Sequence, residues 1–264
     1  MNYYQDKKIW ITGASSGFGK ALTTSLLKCG AKIVITARRK ELLEEIKEVS
    51  PYSEKVIVQP GDMSDLESLD SLSQRAWDAF KGLDIIILNA GVSQRSFFRD
   101  IDYQTGVKLF DINFFSQVKI VRKVLPLMEK QGEGHIVSVT SLSGLIGSPL
   151  RSYYSSAKHA LHGFYDTLRP EVWGSGIKVS LIVPGFLKTD ISYHAVTSNG
   201  NEYGKMDPLQ NAGTPPEKEV TKILKQLKNK KREIYIGYTL NARIAKFLGK
   251  YFPGILSVIL RKIS

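Results

Sequence analysis

Tyr154 and Lys158 stand four residues apart in Tyr154-Ser155-Ser156-Ala157-Lys158, within a stretch whose pattern predicts a helix over Tyr154–Trp173. Residues at that spacing share a helix face. A phenol and an amine held together can exchange a proton with a reacting oxygen. A free tyrosine titrates near ~10 and is a poor base at neutral pH, but a neighbouring ammonium favours the phenolate. The spacing alone is weak evidence, because in a chain with twelve tyrosines about one such match arises by chance. Tyr3/Lys7 and Tyr4/Lys8 repeat it ahead of the first apolar run, in what reads as a frayed terminus. Only Tyr154 has a serine, Ser141, at the end of a strand-like run thirteen residues upstream, and an asparagine, Asn113, in the helical stretch before that. His135, His159 and His162 are read as strand-surface or helix-surface residues, not as acid–base groups.

A second constellation lies near the N-terminus. The first strand-like run leads into Thr12-Gly13-Ala14-Ser15-Ser16-Gly17-Phe18-Gly19 and then a helical stretch. Glycines there permit a tight turn and close approach of a pyrophosphate to the backbone, while the helix presents free N–H groups and its positive dipole end. A Gly-rich loop is a weak signal alone and a stronger one after the first strand of a βαβ unit. The second strand-like run ends in Thr36-Ala37-Arg38-Arg39-Lys40. An NAD site usually has an acid there for the ribose 2′-hydroxyl, whereas arginines can grip a 2′-phosphate bidentately. NADP(H) is therefore the expected cofactor, with Arg38 the first contact, Arg39 the second and Ser16 assisting.

These residues need a scaffold. Apolar runs at Lys8–Gly13, Lys32–Ala37, Lys55–Gln59, Leu83–Asn89, His135–Thr140, Lys178–Val183 and Glu233–Gly237 read as strands. Several are apolar on both faces, as in parallel strands covered on both sides. Helical stretches between them include Gly19–Cys29, Leu66–Phe80 and Val107–Met128. The alternation predicts an α/β class: a Rossmann-type, doubly wound parallel sheet of about seven strands in the order 3-2-1-4-5-6-7. Residues 1–240 are expected to form one domain, with a substrate lid over 186–216 and a basic amphipathic tail over 241–264.

The pattern TGASSGFG resembles that of the short-chain dehydrogenase/reductase family, in its single-domain branch. Asn113, Ser141, Tyr154 and Lys158 match that family's tetrad residue by residue, and the resemblance spans about residues 7–190. It implies hydride transfer between a nicotinamide and a carbonyl or alcohol carbon. Tyr154 would be the general acid/base, Ser141 would donate to the developing oxyanion, and Lys158 would hold the nicotinamide ribose and supply charge. Asn113 would hold a water linking Lys158 to solvent. It further implies that Asp62, followed by Met63, contacts adenine, and that Asn89-Ala90-Gly91 lines the adenine side. Pro184-Gly185-Phe186-Leu187-Lys188-Thr189 resembles the family's PGxxxT element, whose backbone would face the nicotinamide while Thr189 contacts its carboxamide or the pyrophosphate. The stretches TARRKELL and SYYSSAKHAL, with the basic apolar C-terminus, are similar to the subgroup of family members 7 and 7B and the 11-beta-hydroxysteroid dehydrogenases. That subgroup implies a lipophilic carbonyl or alcohol substrate, for which Phe97, Phe98, Phe186, Leu187, Ile191, Tyr193, Tyr203 and Met206 would form an apolar wall. A 3-oxoacyl-carrier-protein reductase and a non-catalytic dinucleotide sensor are the alternatives.

Composition narrows the remaining classes. Of the net charge of +12, residues 218–264 contribute twelve Lys/Arg against two acids. A basic, apolar and aromatic tail points either to an anionic membrane surface or to packing on its own subunit or a dimer partner. No nucleic-acid motif accompanies the charge. Cys29 is the single cysteine, and the four histidines lack metal-ligand spacing, so no metal is expected. The start MNYYQDKKIW has no signal-peptide pattern. A cytoplasmic protein, peripheral to a membrane through its tail, and a homodimer or tetramer are expected.

Overall fold

Strands apolar on both sides can only persist between two helical layers, and the computed structural model, which describes residues 2–263, arranges them so. The strands are β1 (Lys8–Thr12), β2 (Lys32–Thr36), β3 (Val56–Val58), β4 (Ile85–Leu88), β5 (Gly134–Val139), β6 (Ile177–Pro184) and β7 (Glu233–Ile236). All pair in parallel, in the order β3-β2-β1-β4-β5-β6-β7. On one face lie α1 (Gly17–Lys28), α2 (Lys40–Glu48) and α8 (Pro216–Lys228), over a core that includes Ile9, Ile11, Ile33 and Ile35. On the other lie α3 (Leu69–Asp78), α5 (Ser116–Gln131) and α6 (Ser152–Glu171), over Trp10, Val34, Ile86 and Ile136. The Trp10 indole N–H, buried on that side, donates to the Thr36 hydroxyl at 2.9 Å. Strand order reverses between β1 and β4, so the chain leaving their carboxyl ends diverges and opens a crevice there.

Several local details depart from expectation. The long helix expected over Val107–Met128 begins as α4 (Tyr103–Phe110), where the Asp102 carboxylate accepts the Thr105 N–H at 2.9 Å. It passes through a π-helical turn, Asp111–Phe115, before α5. The N-terminus is not frayed: the buried Tyr4 donates its hydroxyl to the Leu224 carbonyl on α8 at 2.6 Å. Residues after β7 do not trail away. They form α9 (Leu240–Tyr251) and α10 (Pro253–Ile263), and Ala242 and Leu256 pack against Leu142 and Ile146. The short helix α7 (Pro208–Asn211) lies in the expected lid. Met1 and Ser264, the outer ends of the expected spans, lie outside the described residues.

His135 is not a surface residue but fully buried within β5. The Ser180 hydroxyl donates to the Lys231 carbonyl at 2.6 Å, so His135 Nε2 must donate to Ser180 at 2.8 Å. Nδ1 is left as a lone pair without a partner, which suits a neutral ring. Burial, aided by the Lys230 charge, pushes its pKa down to about 3. An unfolded imidazole titrates near ~6.5. Between those values only the unfolded chain takes up the proton, so stability is full above about 6.5 and lost as pH falls below it. From pH 7 to pH 5 the loss from this one group is about 2 kcal/mol. Urea unfolding at a series of pH values should show that slope, and His135→Leu should remove it; equal slopes would refute the assignment.

Candidate active site

The turn between β1 and α1 folds back on itself. Gly13 and Gly17 have φ of 68° and 50°, a region that favours glycine. A Cβ at Gly19 would lie 2.1 Å from the Gly13 carbonyl oxygen, so no larger residue fits that closure. Asn89 clamps the turn from β4: its Nδ2 donates to the Thr12 and Gly13 carbonyls at 3.1 and 3.0 Å. The Thr12 hydroxyl in turn accepts the main-chain N–H groups of Asn89 and Ala90.

A cleft of about 670 Å³ opens beyond this turn. Of the expected cofactor residues, Gly13, Ser15, Ser16, Gly17, Phe18, Arg38, Arg39, Asp62, Met63, Asn89, Ala90, Gly91 and Thr189 line it. Gly19 lies behind the turn. Pro184, Gly185, Tyr154 and Lys158 are not among the lining residues; Gly185 packs so closely on Gly237 that a Cβ would lie 2.6 Å from its carbonyl oxygen. The Asp62 carboxylate accepts the Ser64 N–H at 2.8 Å, bending the chain after β3 round the cleft. The cradle fits a dinucleotide. It offers a helix start with no acid in its first turn, a glycine floor and two guanidiniums at the end of β2.

The expected tetrad meets at the carboxyl ends of β4 and β5. The Tyr154 side chain, on α6, is 5% exposed. Burial raises the phenol above its ordinary value, while the nearby Ser141 hydroxyl and the Arg151 charge pull it down. Burial also pulls Lys158 down to about 8, and its Nζ donates to the Val139 carbonyl at 3.0 Å. That nitrogen sits 5.8 Å from the centre of the Tyr154 ring. Gly91 makes the space: a Cβ there would fall 2.8 Å from Asn113 Oδ1 and 3.4 Å from Lys158 Nζ. The Asn113 amide, fully buried in the π turn, donates to the Val92 and Leu109 carbonyls at 2.9 Å each and accepts the Val92 N–H.

The decoy pairs do other things. The Tyr4 phenol holds α8, and the Tyr3 hydroxyl takes a bond from Lys230. Of the expected apolar wall, Leu187 belongs to the core and Phe186 packs beneath the tail helices, whereas Ile191 lines the cleft. Lining residues that the sequence did not announce include Lys108, Asp190, and the lid pair His194–Glu202, whose side chains meet at 2.9 Å. Nothing local marks the last three, because the segment after β6 is brought to the cleft by distant partners, among them Val196 with Gln94 and Ser198 with Asp102.

Comparison with known proteins agrees with this architecture. A family model described as short chain dehydrogenase matches residues 7–200. A "Dehydrogenase/reductase SDR family protein 7-like" of Anopheles gambiae is 34% identical over 262 residues, covering 97% of this chain and 82% of that protein. A "Dehydrogenase/reductase SDR family member 7B" of Bos taurus is 31% identical, with 96% and 80% covered. Among solved structures, a short-chain dehydrogenase from Streptomyces avermitilis superposes with a TM-score of 0.80 at 26% identity, covering 97% of this chain and 94% of that one. A short chain dehydrogenase/reductase from Burkholderia phymatum, in complex with NAD, shares the fold with a TM-score of 0.78 at 23% identity, covering 88% and 90%. With the match extending along nearly the whole chain, this protein belongs to the short-chain dehydrogenase/reductase family of oxidoreductases with a dinucleotide-binding fold.

Proposed function

We propose that this chain is an NADP(H)-dependent oxidoreductase that interconverts a carbonyl and a secondary alcohol on a lipophilic substrate. The observation that carries the cofactor choice is the end of β2. The cleft lining there runs Thr36, Ala37, Arg38, Arg39, with no carboxylate for a ribose 2′-hydroxyl and two guanidiniums for a 2′-phosphate. When bound, the nicotinamide supplies or accepts the hydride.

The chain's own residues handle the proton and the charge. Ser141 and Tyr154, near enough for the hydroxyl to ease ionisation of the phenol, would both point to the reacting oxygen, Ser141 donating to it as charge develops. Tyr154 would give up its hydroxyl proton in reduction and recover it through Lys158. Lys158, with its pKa near 8, can both carry charge and release a proton close to physiological pH. The Asn113 amide is committed to Val92 and Leu109, so the expected water link would run through its main chain. The exposed rings of Phe97, Phe98, Tyr193 and Tyr203 near the lid support an apolar substrate.

The tail supports a membrane contact as a second part of the proposal. Ile244, Phe247, Tyr251, Phe252, Ile255, Val258 and Ile259 remain exposed on α9 and α10, among Arg243, Lys250, Arg261 and Lys262. No acid follows Glu233. No described helix is long and apolar enough to cross a membrane. A surface-lying helix pair on anionic lipid fits this chemistry, and with it a cytoplasmic enzyme peripheral to a membrane. A homodimer or tetramer would use the aromatic ridge of Phe110, Phe114, Phe115 and Phe164.

Three outcomes check these readings. Tyr154→Phe should lower kcat roughly 100- to 10,000-fold in a carbonyl screen while NADPH binding persists; retained turnover would overturn the acid/base role. Arg38→Ala with Arg39→Ala should raise KM for NADPH by about 10-fold or more and leave KM for NADH nearly unchanged. A native preference for NADH, or turnover of acyl-carrier thioesters alone, would replace the proposed chemistry. In cosedimentation with phosphatidylserine vesicles, the Phe247→Gln, Ile255→Gln, Ile259→Gln variant should stay in the supernatant while the unmodified chain pellets. Equal pelleting would remove the membrane contact.

A further inference from the structure

Gln94 is fully buried, yet the proton chemistry above does not use it. Its side chain reaches from the loop after β4 to the first turn of α6. Oε1 accepts the main-chain N–H of Tyr154 at 3.2 Å, and Nε2 donates to the Ser152 hydroxyl and to the Ser96 carbonyl at 3.2 Å each. α6 needs such a partner. Its N-cap residue, Arg151, makes no side-chain capping bond, and a helix start leaves its first N–H groups unsatisfied. A capping group brought in from another segment also fixes where that turn sits relative to the loop supplying it.

The same turn is fastened from the lid. Arg151 Nη2 lies 3.3 Å from the Asp207 carboxylate, and Arg95, next to Gln94, pairs with the same oxygen. The other Asp207 oxygen accepts the Leu209 N–H at 2.9 Å and caps α7. Main-chain bonds join Arg95 N–H to the Val196 carbonyl and Val196 N–H to the Ser93 carbonyl, both at 2.8 Å. Residues 93–95 thus form a rib between the lid and the start of α6. Around Tyr154 itself stand Ser141 from the end of β5, Arg151 and Lys158 from α6, and behind Arg151 the Arg95–Asp207 pair.

We propose that Gln94 is a positioning residue for the proton step, its carboxamide setting the first turn of α6 so that the Tyr154 hydroxyl meets Ser141. This rests on the acid/base reading of Tyr154 and adds the group that places it. Because the carboxamide bonds the main chain of the reacting residue, its loss moves the phenol rather than altering the phenol's own chemistry.

Two variants of the full chain test this. Gln94→Met keeps the volume and loses both polar groups. Gln94→Glu, neutral at this buried position, keeps an acceptor for the Tyr154 N–H and a hydroxyl donor for the Ser96 carbonyl. With a carbonyl that the native enzyme reduces, Gln94→Met should lower kcat roughly 10- to 100-fold, the scale of a small misplacement. KM for NADPH should stay within about twofold, since the cofactor cradle is untouched. Gln94→Glu should recover kcat to within about fivefold of native. The pH midpoint of Tyr154, read by ultraviolet difference against Tyr154→Phe, should rise in Gln94→Met as the phenol moves away from the Ser141 hydroxyl that favours its ionisation. A lowered thermal midpoint with unchanged kcat for the folded enzyme would mean ordinary core packing and overturn the proposal. So would equal losses in the Met and Glu variants. If the native chain reduces no carbonyl, the functional reading fails, and the Tyr154 titration still decides this one: an unmoved midpoint sinks it. Should Gln94→Met not fold, Ser152→Ala removes only the hydroxyl that holds Nε2, and an unchanged kcat there overturns the proposal equally.

Discussion

The Asn89 amide ties together the ends of β1 and β4, where the strand order reverses. Its two donor hydrogens satisfy the Thr12 and Gly13 carbonyls, where the chain leaves β1 for the glycine turn. Without that partner two main-chain acceptors at the mouth of the site would have to find others. The tie also sets the height of the next two residues. Ala90 packs under Gly13, and Gly91 opens the room in which Lys158 and Asn113 approach each other. The glycine turn and the buried amine are thus consequences of one short loop, and a side chain at either Gly13 or Gly91 would push them apart.

Burial dominates the chemistry of the pair that this loop serves. It raises the Tyr154 phenol and lowers the Lys158 amine, each toward its neutral form. A Tyr–Lys pair four apart on an exposed helix would show neither effect. Here the two opposing influences on Tyr154 are local, the Ser141 hydroxyl and the Arg151 guanidinium, whereas Lys158 directs its nitrogen to Val139. The balance at Tyr154 therefore depends on β5, on the start of α6 and on the lid residue that partners Arg151. Three segments distant in sequence converge on one phenol.

The ends of the chain illustrate a different physical rule. An apolar face on a marginal helix finds whatever surface is near. Tyr4 seals the groove between the terminus and α8, and the inner faces of α9 and α10 cover Leu142 and Ile146. Their outer faces remain apolar and cationic at once. A helix with one face buried and an apolar opposite face has not exhausted its partners.

Periodicity and residue type marked the seven strands, the parallel doubly wound class and the glycine turn, whereas the tetrad was legible only through the resemblance to a family. Strands buried on both faces and glycines in left-handed turns leave marks within a few neighbouring positions. The sequence did not disclose that His135 lies in the interior, since a polar residue alternating with valines reads as surface until strand β6 supplies Ser180 opposite it. Nor could it show that Pro184 and Gly185 face β7, that Leu187 belongs to the core, or that Gln94 caps the helix of Tyr154. Each of those depends on which distant segment lies across the gap. Pairing partners more than forty residues away are chosen by packing of the whole sheet and its two helical layers, which no local pattern encodes.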